Sequence, residues 1–340
     1  MITRGTENAP LDPLMGKTIS ILGYGNQGRA QALNLRDSGL QVIIGNRPDS
    51  QGTQRAKADG FEPRSIPEAS EMADLAILAL PDERQGEIYS SSIAPHLKPG
   101  SHLGFLTGFA IRYGQVKPTT ELGVIMVAPK GPGATLRQRF ESGLGIPCLF
   151  AIHQDSPEKS AHAIGLAWAS GIGCARAGII HTTFAAEAET DLFGEQSVLV
   201  GGMTALILAA FETLVEAGYP PELAYVECCH EAKQVADLVY EHGLASMMKA
   251  ISNTAEFGAY HTIEQFDDEA MRTKMKRLLR DVLDDSFTKR MLDDRDAGFP
   301  WFESQRNKLK QHPIEAAGES IRSLMRRPDE ESHESNRPAE

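Results

Sequence analysis

One stretch restricts the fold of this chain more than any other. The apolar run Thr18-Ile19-Ser20-Ile21-Leu22 leads directly into Gly23-Tyr24-Gly25-Asn26-Gln27-Gly28 and then into the helical pattern of residues 29–39. A strand that turns on glycines into a helix lets backbone approach a pyrophosphate closely. The helix start adds free N–H groups and the positive end of its dipole. Glycine-rich turns are common and the motif alone is weak, but here a strand precedes it, a helix follows and a second strand, residues 41–46, completes the unit. Gly23, Tyr24, Gly25, Gln27 and Gly28 are read as dinucleotide-binding positions.

The end of that second strand selects the nucleotide. An acidic residue there would bond the ribose hydroxyls of NAD, whereas this chain has Gly45-Asn46-Arg47-Pro48-Asp49-Ser50. Arg47 and Ser50 suit a 2′-phosphate, the first by its charged fork and the second by its hydroxyl. Against this, Arg47 reads equally as a solvated loop residue, and Asp49 would repel a phosphate if it turned inward. NADPH is favoured and NADH stays open.

Two textures follow along the chain. Short apolar runs at 18–24, 41–46, 75–81, 102–108, 123–129 and 147–153 alternate with amphipathic segments, which predicts an α/β domain with a parallel sheet covered on both faces. From about Thr183 the pattern is helical, through residues 204–218, 222–243 and 269–285, with Gly218, Pro220 and Pro221 punctuating it. The expected domains are 15–182, of Rossmann type, and 183–327, all-helical, with 1–14 and 328–340 disordered. The apolar stretch 197–211 falls short of the about 20 residues that span a bilayer, so it is expected to be a buried helix.

A net charge of -12 without a Lys/Arg cluster argues against nucleic acid and anionic membranes as partners. The first residues lack the apolar core of a signal peptide. The 4 cysteines are irregularly spaced, with Cys228 and Cys229 adjacent, which suits a reduced, cytoplasmic protein.

The helical half holds two acidic pairs, Asp191/Glu195 and Glu227/Glu231, each four residues apart and so on one helical face. Like charges at that spacing repel, and no basic residue stands within either pair. Two ordinary surface patches are one reading. A cation site is the other, because the flanking Leu192, Phe193, Tyr225 and Val226 would make buried carboxylates costly without compensation. All-oxygen ligands suit Mg²⁺ or Mn²⁺. Glu227 and His230 also form a Glu-x-x-His unit of di-iron type, but that architecture needs two such units.

Together these stretches resemble the ketol-acid reductoisomerases of branched-chain amino-acid biosynthesis, over about residues 15–327. The resemblance rests on GYGNQG at 23–28, LPDERQGEIY at 80–89, VAPKGPG at 127–133, AIHQD at 151–155, ETDLFGEQ at 189–196, FETLVEAGYPPELAYVECCHE at 211–231 and ISNTAEFG at 251–258. It implies a short-form, class I type enzyme, with a Rossmann domain and one knotted all-helical domain, working as a homodimer or an oligomer of dimers. It further implies a pair of Mg²⁺ ions, bridged by Asp191, with Glu195 on the first and Glu227 and Glu231 of the partner subunit on the second. Lys130 is implied to assist proton transfer, Ser252 to bind a substrate carboxylate, and Gly133 to border the cofactor. The implied reaction is alkyl migration in a 2-acetolactate-type keto acid, then hydride transfer to give a 2,3-dihydroxy acid.

The pattern breaks near the hydride. Where the family has a histidine beside nicotinamide and substrate, this chain has Thr107, which cannot shuttle protons near neutral pH. Ala110 and Ala250 stand where polar or larger residues are usual. Three readings follow: a divergent reductoisomerase with Thr107 and Glu231 in its catalytic set; a specialised relative reducing another α-keto acid or imine without alkyl migration; or a dinucleotide-binding protein with dead chemistry.

Overall fold

A computed structural model of the chain describes residues 1–325, so the expectation for 328–340 lies outside the described residues. The chain forms two compact units, Met1–Asp191 and the residues from Leu192 on.

The first unit is built on one sheet of 8 strands: β1 (Ile2–Thr3), β2 (Thr18–Leu22), β3 (Gln41–Gly45), β4 (Leu75–Leu78), β5 (His102–Phe105), β6 (Gly123–Pro129), β7 (Cys148–Gln154) and β8 (Ile179–His181), in the order β1-β8-β7-β6-β5-β4-β2-β3. Its helices are α1 (Asn26–Asp37), α2 (Gln51–Ala58), α3 (Ile66–Met72), α4 (Asp82–Ile88), α5 (Phe109–Arg112), α6 (Gly133–Glu141), α7 (Ala161–Gly171) and α8 (Phe184–Gly194), the last as far as Asp191. Alternate side chains of β2, β4 and β6 serve opposite faces. Ile19, Ile21, Leu75, Ile77, Ile125 and Val127 pack with Trp168 on one side. Leu22, Ala76, Leu78, Val124 and Met126 pack with Phe105 and Phe184 on the other. Burial on both faces explains why these strands read as continuous apolar runs.

Two expectations are corrected. The sheet is mixed, not parallel throughout: β7 runs antiparallel to β6, with Pro129 opposite Cys148, because the excursion through α6 brings the chain back to the end of the sheet it left. Residues 1–14 are not disordered. Ile2 and Thr3 pair with β8, and Ala9 and Leu14 are wholly buried.

The second unit is helical: α9 (Gly201–Glu216), α10 (Pro221–Tyr225), α11 (Ala232–His242), α12 (Leu244–Ala250), α13 (Asn253–Phe266), α14 (Glu269–Leu283), α15 (Ser286–Asp296), α16 (Pro300–Lys310) and α17 (Pro313–Met325). Its small core joins Phe211, Ala224, Tyr225, Ile314 and Ala317. Contrary to expectation, the apolar run 197–211 is mostly not buried; Val198, Leu199 and Val200 are 56%, 62% and 60% exposed. A helix apolar all round must be covered by something, and the sequence pattern does not say whether its own chain does the covering. Phe184–Glu216 is a 33-residue helical stretch, long and apolar enough to cross a membrane by length and composition.

Each acidic pair has one member inside a turn that helical periodicity does not anticipate, Glu195 in one and Glu227 in the other. Glu195–Leu199 and Val226–His230 are π-helical, with Val200 N–H donating to Glu195 C=O and Glu231 N–H to Val226 C=O, five residues back. Such π-turns are rare and concentrate at functional sites.

Candidate active site

The carboxyl ends of the neighbouring parallel strands β2, β4, β5 and β6 carry the chemistry of the first unit, at the edge where open α/β sheets bind ligands. After β2, Gly23 takes φ 100°, and a Cβ there would collide with the Ala79 carbonyl. Gly28 is similarly crowded by the Gly23 carbonyl, and Gly133, opening α6, by that of Asn26. Gly25 differs. It precedes α1 with nothing within 4 Å of where a Cβ would stand, so the space beside the helix start is open.

Tyr24 is 2% exposed and its hydroxyl donates to Asp59 Oδ2 at 2.9 Å. Its ring meets the Phe61 ring edge to face, with centroids 5.9 Å apart. Arg29 forks onto the same carboxylate at 2.7 and 2.9 Å, and these hydrogen bonds hold Asp59 below the usual carboxylate range. Gln27 donates to the Gly131 carbonyl at 2.8 Å, tying the glycine turn to the segment that follows β6. Beyond β3, Arg47 is exposed, as is Asp49. The Ser50 hydroxyl caps α2, accepting from Thr53 N–H at 3.2 Å and donating to the Arg47 carbonyl at 3.0 Å. Ser50 would thus bind a phosphate only in competition with its cap.

Past β6, Lys130 reaches two carboxylates of α8. Its Nζ donates to Glu187 Oε1 at 2.7 Å and to Asp191 Oδ1 at 2.8 Å. Burial works to lower the lysine pKa, but the two carboxylates outweigh it and raise it, which keeps the ammonium charged. Glu187 is wholly buried and takes a second bond from Gly108 N–H at 2.6 Å. Burial pushes its carboxyl up despite Lys130 and the Gly108 bond. At the ends of β5 and β4, the Thr107 hydroxyl donates to Asp82 Oδ1 at 3.0 Å. Desolvation raises the Asp82 carboxyl to about 6, against the Thr107 hydrogen bond and with help from Glu187, Glu83 and Asp191.

Glu187 and Asp82 are central here and were missed by pattern. Glu187 was within reach, since the four-residue spacing that links Asp191 to Glu195 extends one turn back to it. Asp82 opens a helix, where an acidic residue ordinarily serves the helix dipole, and that role hides any other.

In the second unit, Glu195, Glu227 and Glu231 are solvent-exposed, so the expected burial of these charges does not occur within one chain. Ser252 caps α13, accepting from Ala255 N–H at 3.2 Å. Among the described residues, no three His, Cys, Asp or Glu side chains gather as a metal-binding group. The donor chemistry still fits a hard cation: all four carboxylates offer oxygen, and Asp191 already accepts a hydrogen bond from the Lys130 ammonium.

Comparison with known proteins agrees with this geometry. Residues 13–178 match the family described as acetohydroxy acid isomeroreductase, NADPH-binding domain, and residues 184–327 match ketol-acid reductoisomerase, C-terminal domain. An NADH-preferring ketol-acid reductoisomerase from an uncultured archaean is 41% identical, with a TM-score of 0.92 over 95% of this chain and 99% of its own. A semialdehyde dehydrogenase NAD-binding protein from Cupriavidus necator, 23% identical with a TM-score of 0.56 over 78% of this chain and 100% of its own, shares the fold. So does an oxidoreductase from Jannaschia sp. CCS1, 16% identical with a TM-score of 0.58 over 78% of this chain and 97% of its own. With both halves matched in order, and a relative of known activity superimposing along almost the whole length, the chain belongs to the ketol-acid reductoisomerase family and is a nicotinamide-dependent oxidoreductase of branched-chain amino-acid biosynthesis.

Proposed function

We propose that the chain converts a 2-acetolactate-type hydroxy-keto acid into a 2,3-dihydroxy acid, with NADPH as hydride donor and Mg²⁺ as metal. The observation that carries this reading is the cluster of Lys130, Glu187 and Asp191 beside the glycine turn, at the edge where the nicotinamide must lie. Asp191 and Glu195, with Glu227 and Glu231 of a second copy, would hold the cations. When bound, the metal supplies Lewis acidity toward the adjacent oxygens of the substrate.

The residues of the chain divide the remaining work. Gly25 and the start of α1 receive the pyrophosphate, with Gly133 bordering it. Lys130 keeps a proton next to Asp191, stabilises negative charge on the reacting oxygens and can return a proton to them. Glu187 fixes the direction of that ammonium. Ser252 receives the substrate carboxylate. Arg47 supports NADPH, while the NADH preference of the 41% identical relative makes NADH the rival donor.

The apolar surface around Val198, Leu199, Val200, Met203 and Leu206 supports a homodimer, or an oligomer of dimers, in which a second copy covers it. The same coverage would bring partner carboxylates to a shared cation site. The 4 cysteines are free thiols, in keeping with a cytoplasmic enzyme.

Incubation with NADPH, Mg²⁺ and 2-acetolactate tests the reading. Expected is NADPH oxidation matched by dihydroxyisovalerate. NADPH oxidation with a product lacking the migrated alkyl group would assign the chain to simple keto-acid reduction, and no oxidation with either nucleotide would sink the proposal.

A further inference from the structure

Between the ends of β4 and β5 the chain has built a small polar relay that the reaction as described leaves unused. Thr107 donates its only hydroxyl proton to Asp82 Oδ1 at 3.0 Å. The same oxygen receives Gln85 Nε2 at 2.9 Å, and Gln85 is 2% exposed, anchored through Leu80 C=O at 3.0 Å. Among the described residues Gln85 Oε1 has no hydrogen-bond partner, while both bonds of its amide nitrogen go to Asp82 and Leu80. Among the described residues, the Thr107 oxygen accepts no hydrogen bond. A hydroxyl has one proton and two lone pairs, so a threonine whose proton is taken can only accept from a ligand.

We propose that Asp82 is a positioning residue for Thr107, fixing the polarity of its hydroxyl: an acceptor toward substrate or nicotinamide while Asp82 is ionised, a donor when Asp82 carries the proton. The groups facing Asp82 are mostly of its own sign. Glu83 lies on its own helix, and Glu187 and Asp191 act on it from α8. Lys130 is engaged by Glu187 and Asp191, and Arg112 of α5 by Glu189 at 2.6 Å. No cation is hydrogen-bonded to the Asp82 carboxylate among the described residues. A carboxylate so placed, raised to about 6, changes state within the range in which a cytoplasmic enzyme is assayed. Thr107 then acquires a pH-dependent role although a threonine does not itself titrate.

This inference rests on the proposed reaction, and its test separates the two. The 2-acetolactate rates of wild type, Thr107→Val, Thr107→Ser, Asp82→Asn and the double variant Asp82→Asn/Thr107→Val are compared from pH 5 to 8. Thr107→Val is expected to lose about tenfold or more in kcat/KM, Thr107→Ser to recover most of it, and the double variant to be no worse than its weaker parent. The decisive readout is the acidic limb of the wild-type profile near pH 6. It should vanish in Thr107→Val, where Asp82 is still present but has lost its messenger. Persistence of that limb in Thr107→Val, or additive losses in the double variant, overturns the inference. Should Asp82→Asn not fold, the isosteric Thr107→Val carries the test. If wild type proves inactive, the reaction falls, and carboxyl NMR decides the relay: the Asp82 titration must move upward in Thr107→Val, and an unmoved one overturns it.

Discussion

Glu187→Gln is the sharpest probe of the electrostatic arrangement at the sheet edge. Glu187 is wholly buried, with one oxygen accepting from Lys130 Nζ at 2.7 Å and the other from Gly108 N–H at 2.6 Å. Glutamine has the same shape but only one acceptor, so its NH₂ must face one of two donors. One charge-assisted hydrogen bond is then lost, worth about 1.5–3 kcal/mol. Lys130 keeps Asp191 at 2.8 Å, which places the cost below the 3–5 kcal/mol of a fully orphaned buried ion. For a unit spanning Met1–Asp191, where each kcal/mol moves Tm by roughly 2–4 °C, a drop of roughly 3–12 °C follows. Differential scanning calorimetry at pH 7.5 measures it. With the ammonium held from one side only, kcat should also fall by about tenfold, the equivalent of ~1.4 kcal/mol in the barrier. A transition within about 1 °C of wild type together with unchanged kcat would refute the claim that Glu187 fixes Lys130.

Three further outcomes follow from the same geometry. Asp82 stands at about 6 when folded against an ordinary 3.8, and a carboxyl raised by folding stabilises below its unfolded pKa and loses that contribution as pH rises through the folded one. Asp82→Asn should therefore match wild type near pH 4 and exceed it by roughly 1–2 kcal/mol at pH 8, after allowance for partial exposure, as urea unfolding at both pH values would show; a gap that widens toward acid contradicts the sign. Gly25→Ala, which meets no protein atom, should leave Tm within about 1 °C yet weaken cofactor binding tenfold or more by fluorescence titration, and intact binding would remove Gly25 from the site. Arg47→Ala should raise KM for NADPH about tenfold and leave KM for NADH in place; equal effects on both would return Arg47 to a solvated loop.

Much of the first unit was legible because its strands are apolar on both faces and separated by glycine or proline. What escaped was set by tertiary pairing. β1 is two residues long and exists only because β8 offers it an edge, and β8 itself, Ile179–His181, is too short to announce itself. The reversal of β7 depends on where α6 returns the chain, which periodicity does not encode. In the site, spacing found Asp191 and the resemblance assigned Lys130, but neither showed that Glu187, itself held by Gly108 N–H, holds that lysine, since these bonds join residues 57 and 79 positions apart. The helical run 197–211 was legible as a helix but not as a surface, because the same pattern serves a helix buried in its own chain and one covered by another.

The π-turn at Val226–His230 gives the segment a property of a different kind. An α-helix with one residue too many keeps its axis by widening a single turn, so the surplus is stored in one place. Removing any one residue there would let ordinary α-helix close across the gap with backbone bonding nearly intact. Everything after it would keep nearly its present direction, because the wide turn already absorbs the surplus. With a residue between them removed, Glu227 and Glu231 would become neighbours three positions apart, still on one helical face. The segment therefore carries a spare residue that shortening can remove at little structural cost.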